Sequence, residues 1–368
     1  MSDPYSSFFS PDYHTARKQF SALALDRQAT TWQIPLTAKG PKNSDLSIDI
    51  ALFGSPNAKK IVLHASGLHG VEGFAGSAIQ LALLSQDMPI PEGCAVILVH
   101  ALNPFGMAWL RRVNENNVDL NRNFLSPNEA YSGAPEHYIQ LNAMLNPPSP
   151  PQFDFFLMRT TGNILKSGFN ALKQAIVGGQ YEYPKGLFYG GKHLEERPRL
   201  YSQWLRENLS HAEHLVAIDI HTGLGKRGHD TLLVEGGPEN PLYQELETAF
   251  GDHVAPWDPD ASVAYAIRGG HGQGVCNSLP ETRVQFVTQE FGTLSPLKVL
   301  HALREENRWH HWGEGLNNPD SPLHTSKNRI LQAFRPDSES WRKAVVERGV
   351  ALAEQATRLA FQTESTQA

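Results

Sequence analysis

Ile61-Val62-Leu63-His64-Ala65-Ser66-Gly67-Leu68-His69-Gly70-Val71-Glu72 is the stretch on which the fold turns. Its first five residues form a short apolar run, which reads as a buried strand. A glycine-rich loop follows, and residues 75–86 then take up helical spacing. Other core strands fit the same scheme at 95–99, 215–220, 232–234 and 284–287. Residues 30–37 and 46–53 read as further strands, with Ile48, Ile50 and Leu52 alternating with polar or small residues. Helical patterns at 13–27, 137–146, 160–176, 197–209, 240–250 and 297–308 separate them. Apolar strands alternating with helices predict a three-layer α/β/α sandwich around a twisted, mixed but largely parallel sheet.

The same loop carries His69 and Glu72. Functional groups of open α/β sheets gather at the carboxyl ends of strands. Gly67, Gly70 and Gly73 let the chain turn sharply enough there to aim both side chains at one point. A hydrolytic zinc site commonly uses two histidines and a carboxylate and keeps one position open for water. A second His-x-x-Glu, His193-Leu194-Glu195-Glu196, stands between Lys192 and Arg197 and reads as a solvated helix start. The third ligand is expected at another strand end. His221 closes residues 216–220, and Asp219 on the same strand face is placed to orient its imidazole through the second ring nitrogen. His64 and His100 read as core residues, and His211, His214, His229 and His271 are competitors for the ligand role. A metal-activated water also needs a base. Glu290, which ends 284–289, is the candidate; a strand-end salt bridge with an arginine is the blander alternative.

Residues 103–124 run Asn103-Pro104-Phe105-Gly106, Arg112-Val113-Asn114 and Asn117-Val118-Asp119-Leu120-Asn121-Arg122-Asn123-Phe124. Two fixed guanidiniums and several amides in a stretch poor in apolar residues look built to hold an anion and a polarised carbonyl.

Composition bounds the rest. The chain has 368 residues, 40% hydrophobic and 19% charged, which is globular and ample for a large core. A net charge of −6 gives no reason to expect nucleic acid or an anionic membrane as partner. Two cysteines, Cys94 and Cys276, without a CxxC pattern speak against a Cys-built metal site and fit a reducing compartment. The first residues lack the basic and apolar regions of a signal peptide, and no apolar stretch reaches the roughly 18 residues of a membrane span. The expected setting is the cytoplasm. We expect one domain over 1–368. An excursion at about 145–195, opened by Pro147-Pro148-Ser149-Pro150-Pro151, is a pocket wall or lid, or else surface decoration. A helix at about 338–361 should pack through Trp341, Val345, Leu352, Ala356 and Leu359.

Taken in order, these pieces resemble the zinc carboxypeptidase (funnelin) superfamily: His-x-x-Glu, Asn-Pro-x-Gly, Arg-x-Asn, Val-Asp-Leu-Asn-Arg-Asn-Phe, a strand-end His and a late strand-end Glu. The resemblance spans about residues 47–310. It looks closest to a bacterial carboxypeptidase-like and deacylase-like branch, through the loop around His69 and Glu72 and through Asp219-Ile220-His221-Thr222-Gly223. It implies one Zn2+ per chain on His69, Glu72 and His221. It implies that Arg112 stabilises the oxyanion, with Arg111 the alternative. It implies that Asn121 and Arg122 hold a substrate carboxylate, that Tyr265 binds substrate and that Glu290 is general base and acid. The stretch from Arg122 to His221 is longer than in the digestive enzymes, and that from Glu72 to Asn121 is shorter, which should reshape the rim. The activity implied is hydrolysis of an amide bond beside a free carboxylate in a small peptide or peptide-like substrate. The alternatives are an N-acyl-amino-acid deacylase of the same mechanism and a metal-free binding protein on the same fold.

Overall fold

The computed structural model describes residues 3–167, 174, 176–251, 253–257, 267–313 and 324–361. Eight strands make one sheet among the described residues: β1 (Thr30–Lys39), β2 (Asp45–Gly54), β3 (Lys60–Ala65), β4 (Cys94–His100), β5 (His214–Gly223), β6 (Asp230–Val234), β7 (Val254–Pro256) and β8 (Arg283–Gly292). Their order across the sheet is β1-β2-β4-β3-β5-β8-β6-β7. The centre, β4-β3-β5-β8, is parallel throughout; β1, β2 and β6 pair antiparallel around it.

Side chains alternate across these strands. Val62, Val96, Leu98, Val216, Ile218 and Ile220 face one layer, where helices Tyr13–Asp26, Gly73–Leu84 and Glu339–Phe361 pack. Ile61, Leu63, Ile97, Val99, Leu215 and Ala217 face the other, under helices Glu196–Leu209 and His271–Ser278. Burial on both faces is why these strands read as unbroken apolar runs. The expected three layers and largely parallel central sheet are present.

The C-terminal helix is held by the side chains foreseen for it. Trp341, 1% exposed, gives its indole N–H to the Gly292 carbonyl at 3.0 Å, fastening the helix to the end of β8. Trp341→Ala would remove that bond and the ring's packing, a cost of about 3–5 kcal/mol. Leu359 is only partly buried.

Three helices among the described residues were not foreseen, the five-residue Pro104–Ala108 and two longer ones. His271–Ser278 contains Gly272 and Gly274, which hide its helical character, and Thr325–Phe334 is short and follows no clear signal. The expected helix at 160–176 begins earlier, at Phe156, and is described to Ser167; the last residues, 362–368, lie outside the described residues.

Register decides where chemistry collects. Parallel pairing sets Ala65 beside Asp219, and His221 beside Glu290. The loop leaving β3 and the ends of β5 and β8 therefore open at one edge of the sheet.

Candidate metal centre

The loop leaving β3 turns at Gly67 (φ +71) and tightens into a single 3-10 turn over Gly70–Glu72. Its amides are tied down: Glu72 N donates to His69 O at 2.7 Å, and Val71 N to Arg111 O at 2.9 Å. A β-carbon on Gly70 would come within 2.3 Å of Gly106 and 2.4 Å of the Arg111 carbonyl. Only glycine allows that approach, which brings the turn carrying His69 and Glu72 against the segment carrying Arg112.

The turn sets His69 Nδ1 at 3.2 Å from Glu72 Oε1. His221, arriving on β5, places its Nδ1 at 2.9 Å from His69 Nδ1 and 3.5 Å from Glu72 Oε2. Thr222 N also donates to Glu72 Oε2, at 3.0 Å. One ligand atom from each of His69, Glu72 and His221 lies within 4.8 Å of the others, and all three residues are buried.

Each imidazole gives its far side to a carboxylate. His69 Nε2 stands 3.0 Å from Asp119 Oδ1, and His221 Nε2 stands 2.9 Å from Asp219 Oδ2. Sequence reasoning foresaw Asp219 and missed Asp119. The Val-Asp-Leu-Asn-Arg-Asn-Phe run contained it, but its importance depends on a fold that brings position 119 to position 69. Arg112 Nη2 also stands 2.8 Å from His69 Nε2. The two Nδ1 atoms and the Glu72 carboxylate converge on one point, where a proton or a cation has to separate them. Two imidazoles and a carboxylate fit zinc.

Charges around the site follow from burial and pairing. Asp119 bonds Arg112 Nη1, lies 3.5 Å from Arg122 Nη1 and accepts from Asn121 N at 3.1 Å. Burial would raise its pKa, but Arg112, Arg122 and His69 hold it well below the carboxylate range. Asp219 and Glu72 are likewise lowered against burial, Asp219 by His221 and His271, Glu72 by His69, His221 and Arg112. Burial would lower His221, but Asp219 and Glu72 lift it well above an ordinary imidazole. Without a metal the site therefore takes up a proton, which a metal must displace.

Glu290 is the strand neighbour of His221, 7% exposed, and accepts from Leu224 N at 2.9 Å. Burial, then the charge of Glu72, raises it to about 7. Of the two adjacent arginines, Arg112 turns toward the centre, its Nε 3.3 Å from Glu72. Arg111 turns away and pairs with Glu306 at 3.0 Å. Asn121 accepts from His271 N at 2.9 Å and lines a cavity of about 250 Å³ with Trp257, Phe286 and Thr288. Arg122 is fully buried, donating to Asn121 O at 2.9 Å and Val177 O at 2.6 Å. Tyr265 lies outside the described residues.

Four asparagines of the run satisfy the protein's own backbone. Asn103 caps the helix Pro104–Ala108 through Gly106 N. Asn114 accepts from Asn116 N and Val118 N. Asn117 donates to Pro184 O and Gly186 O, and Asn123 to Gly190 O and His193 O. An irregular buried segment has no ladder to satisfy its polar groups, so amide side chains do it. Glu195, expected to be solvated, is buried and accepts from Asn114 and Asn116 at 2.8 and 2.7 Å; His193 is solvated as expected.

These ties also place the excursion. Residues 177–190 lie along 117–123, with Tyr181 OH donating to Arg122 O and Asp119 N to Tyr189 O. Phe188 (φ +55) sets its ring 5.2 Å from the Arg112 guanidinium carbon.

A family model described as "Protein of unknown function (DUF2817)" matches residues 9–348. The chain belongs to that family. No curated protein matches this DUF2817 sequence. Among solved structures it is similar to carboxypeptidase A from Helicoverpa armigera, at 13% identity and TM-score 0.46 over 96% of this chain and 74% of that one. It is similar to thrombin activatable fibrinolysis inhibitor at 11% and 0.47, over 96% and 75%. It is also similar to murein-tripeptide amidase MpaA from Escherichia coli O157 at 17% and 0.36, over 76% and 92%. No helix among the described residues is long and apolar enough to cross a membrane.

Proposed function

We propose that this DUF2817 protein is a zinc-dependent hydrolase that cleaves an amide bond beside a free carboxylate in a small peptide or peptide-like substrate. The observation that carries this reading is the convergence of His69, Glu72 and His221, with Glu290 on the neighbouring strand. A zinc ion on those three residues would polarise the scissile carbonyl and acidify a water.

Glu290 takes that water's proton and passes it to the leaving nitrogen. Without metal, burial and the charge of Glu72 raise this carboxyl to about 7, toward the range that suits a group that must both accept and donate a proton. Arg112, buried beside Glu72 and already oriented by Asp119, faces the negative charge that develops on the carbonyl oxygen. Asn121 stands at the wall of the cavity of about 250 Å³, where Val234, Leu242, Val284 and Phe286 offer apolar surface to the released residue. The family resemblance assigns the substrate carboxylate to Asn121 and the neighbouring Arg122, and a further substrate contact to Tyr265.

The test has two arms. Protein expressed with ample zinc should carry one zinc per chain, and Glu290→Gln should keep the metal while losing turnover by about 10²–10⁴-fold. Assays on a peptide panel and an N-acyl-amino-acid panel should show release of a C-terminal residue. Hydrolysis of the acyl panel alone would make the protein a deacylase. Failure to take up zinc would leave a metal-free binding protein.

A further inference from the structure

His271 has no part in the chemistry above, yet it is 1% exposed and aims at the metal centre from outside. Its Nδ1 stands 2.8 Å from Asp219 Oδ2, the same oxygen that stands 2.9 Å from His221 Nε2. The other oxygen, Asp219 Oδ1, has no hydrogen-bond partner among the described residues. All the bonding of this buried carboxylate thus passes through one atom shared by two imidazoles. A carboxylate held by His221 alone could turn about its last torsion and offer either oxygen. A second donor fixed on Oδ2 removes that freedom.

The surroundings of His271 leave it nothing else to bond. Its ring is enclosed by Phe124, Tyr201 and Phe286, with centroids at 5.5, 5.5 and 5.2 Å. Its Nε2 is closed to solvent and has no partner among the described residues. Its backbone N–H meanwhile donates to Asn121 Oδ1, so one residue touches both the metal side and the cavity side of the site.

We propose that His271 is a positioning residue that pins Asp219, and through it His221, so that zinc is held tightly. This rests on the metal site proposed above. Outer-shell partners of metal-binding histidines typically contribute 10–100-fold to metal affinity.

Chelator competition on the full-length protein measures the effect directly. His271→Phe keeps an aromatic ring in the cage but removes the N–H, and should weaken zinc by about 10-fold, at the low end of the roughly 10–100-fold expected for the direct outer-shell partner Asp219. His271→Asn, whose amide nitrogen stands near the Nδ1 position, should recover most of that loss. His271→Gln, with its amide one bond further out, should behave as Phe does and serves if the Phe variant does not fold. In Asp219→Asn protein, His271→Phe should cause no further loss. Cobalt-substituted protein should show a shifted d–d spectrum in His271→Phe, which loss of packing alone would not produce. With the backbone N–H intact, KM on the peptide panel should change little while kcat falls. His69→Ala is the control: if it still retains zinc, the metal site itself is wrong. If His69→Ala loses zinc while His271→Phe and His271→Gln bind it like the parent, the role assigned to His271 is overturned.

Discussion

The candidate metal centre is assembled from two halves built in different ways. His221, Asp219 and Glu290 sit on β5 and β8, where parallel pairing fixes their positions to one another. His69, Glu72, Arg112 and Asp119 sit on loops, where no ladder fixes anything. The loop half is held by a few isolated backbone bonds and by buried side chains: Asp119 alone engages His69, Arg112, Arg122 and the backbone of Asn121. Backbone register sets one half of the site, and buried charge sets the other.

The largest expected effect tests whether the halves are equal partners. His69→Ala and His221→Ala should each lose retained zinc, while His193→Ala, on the exposed second motif, should keep it. Metal analysis after dialysis reads this out. Zinc kept by His221→Ala would mean that the strand half is dispensable and the comparison fails.

Next comes the carboxylate that organises the loops. Asp119→Asn should cost metal-free protein about 3–5 kcal/mol in urea unfolding, because it removes the buried negative charge that Arg112 and Arg122 share. Asp219→Asn should cost less, since its partners are imidazoles, which can shed a proton, whereas a guanidinium cannot. Equal losses would erase the distinction between the halves.

A smaller effect separates the core of the sheet from the loop half by pH. Burial pushes His64 down to about 4 and His100 down to about 3. Both are neutral in the fold and titrate near 6.5 when unfolded, so their contribution is complete above 6.5 and fades as pH falls toward those lower values. The loss should be on the order of 3 kcal/mol by pH 5. The double variant His64→Gln/His100→Gln should flatten that slope. Asp119 is lowered, so its contribution stands above its unfolded value near 3.8 and is lost only below it. Urea midpoints between pH 7.5 and 4.5 would show the sheet responding first.

The same division explains what could be read without coordinates. The runs at 61–65, 95–99 and 215–220 are legible because a strand buried on both faces cannot hide its composition. His221 and Glu290 are legible because they end such runs. Asp119 was invisible as a partner of His69 because only tertiary folding joins them. The amides of Asn103, Asn114, Asn117 and Asn123 looked like ligand contacts because a sequence shows donors without the carbonyls they meet. The helix His271–Ser278 was masked by its glycines, and with it went the link from His271 to Asp219.

The close pass of Gly70 over Gly106 sets the gauge of this site. Two hydrogens stand where any other pair of residues would carry carbon, and the gap so saved lets the ligand turn rest on the peptide before Arg112. Any side chain at either position would act as a wedge, widening the spacing between the His69–Glu72 turn and the Arg112 guanidinium while leaving every polar group in the site intact.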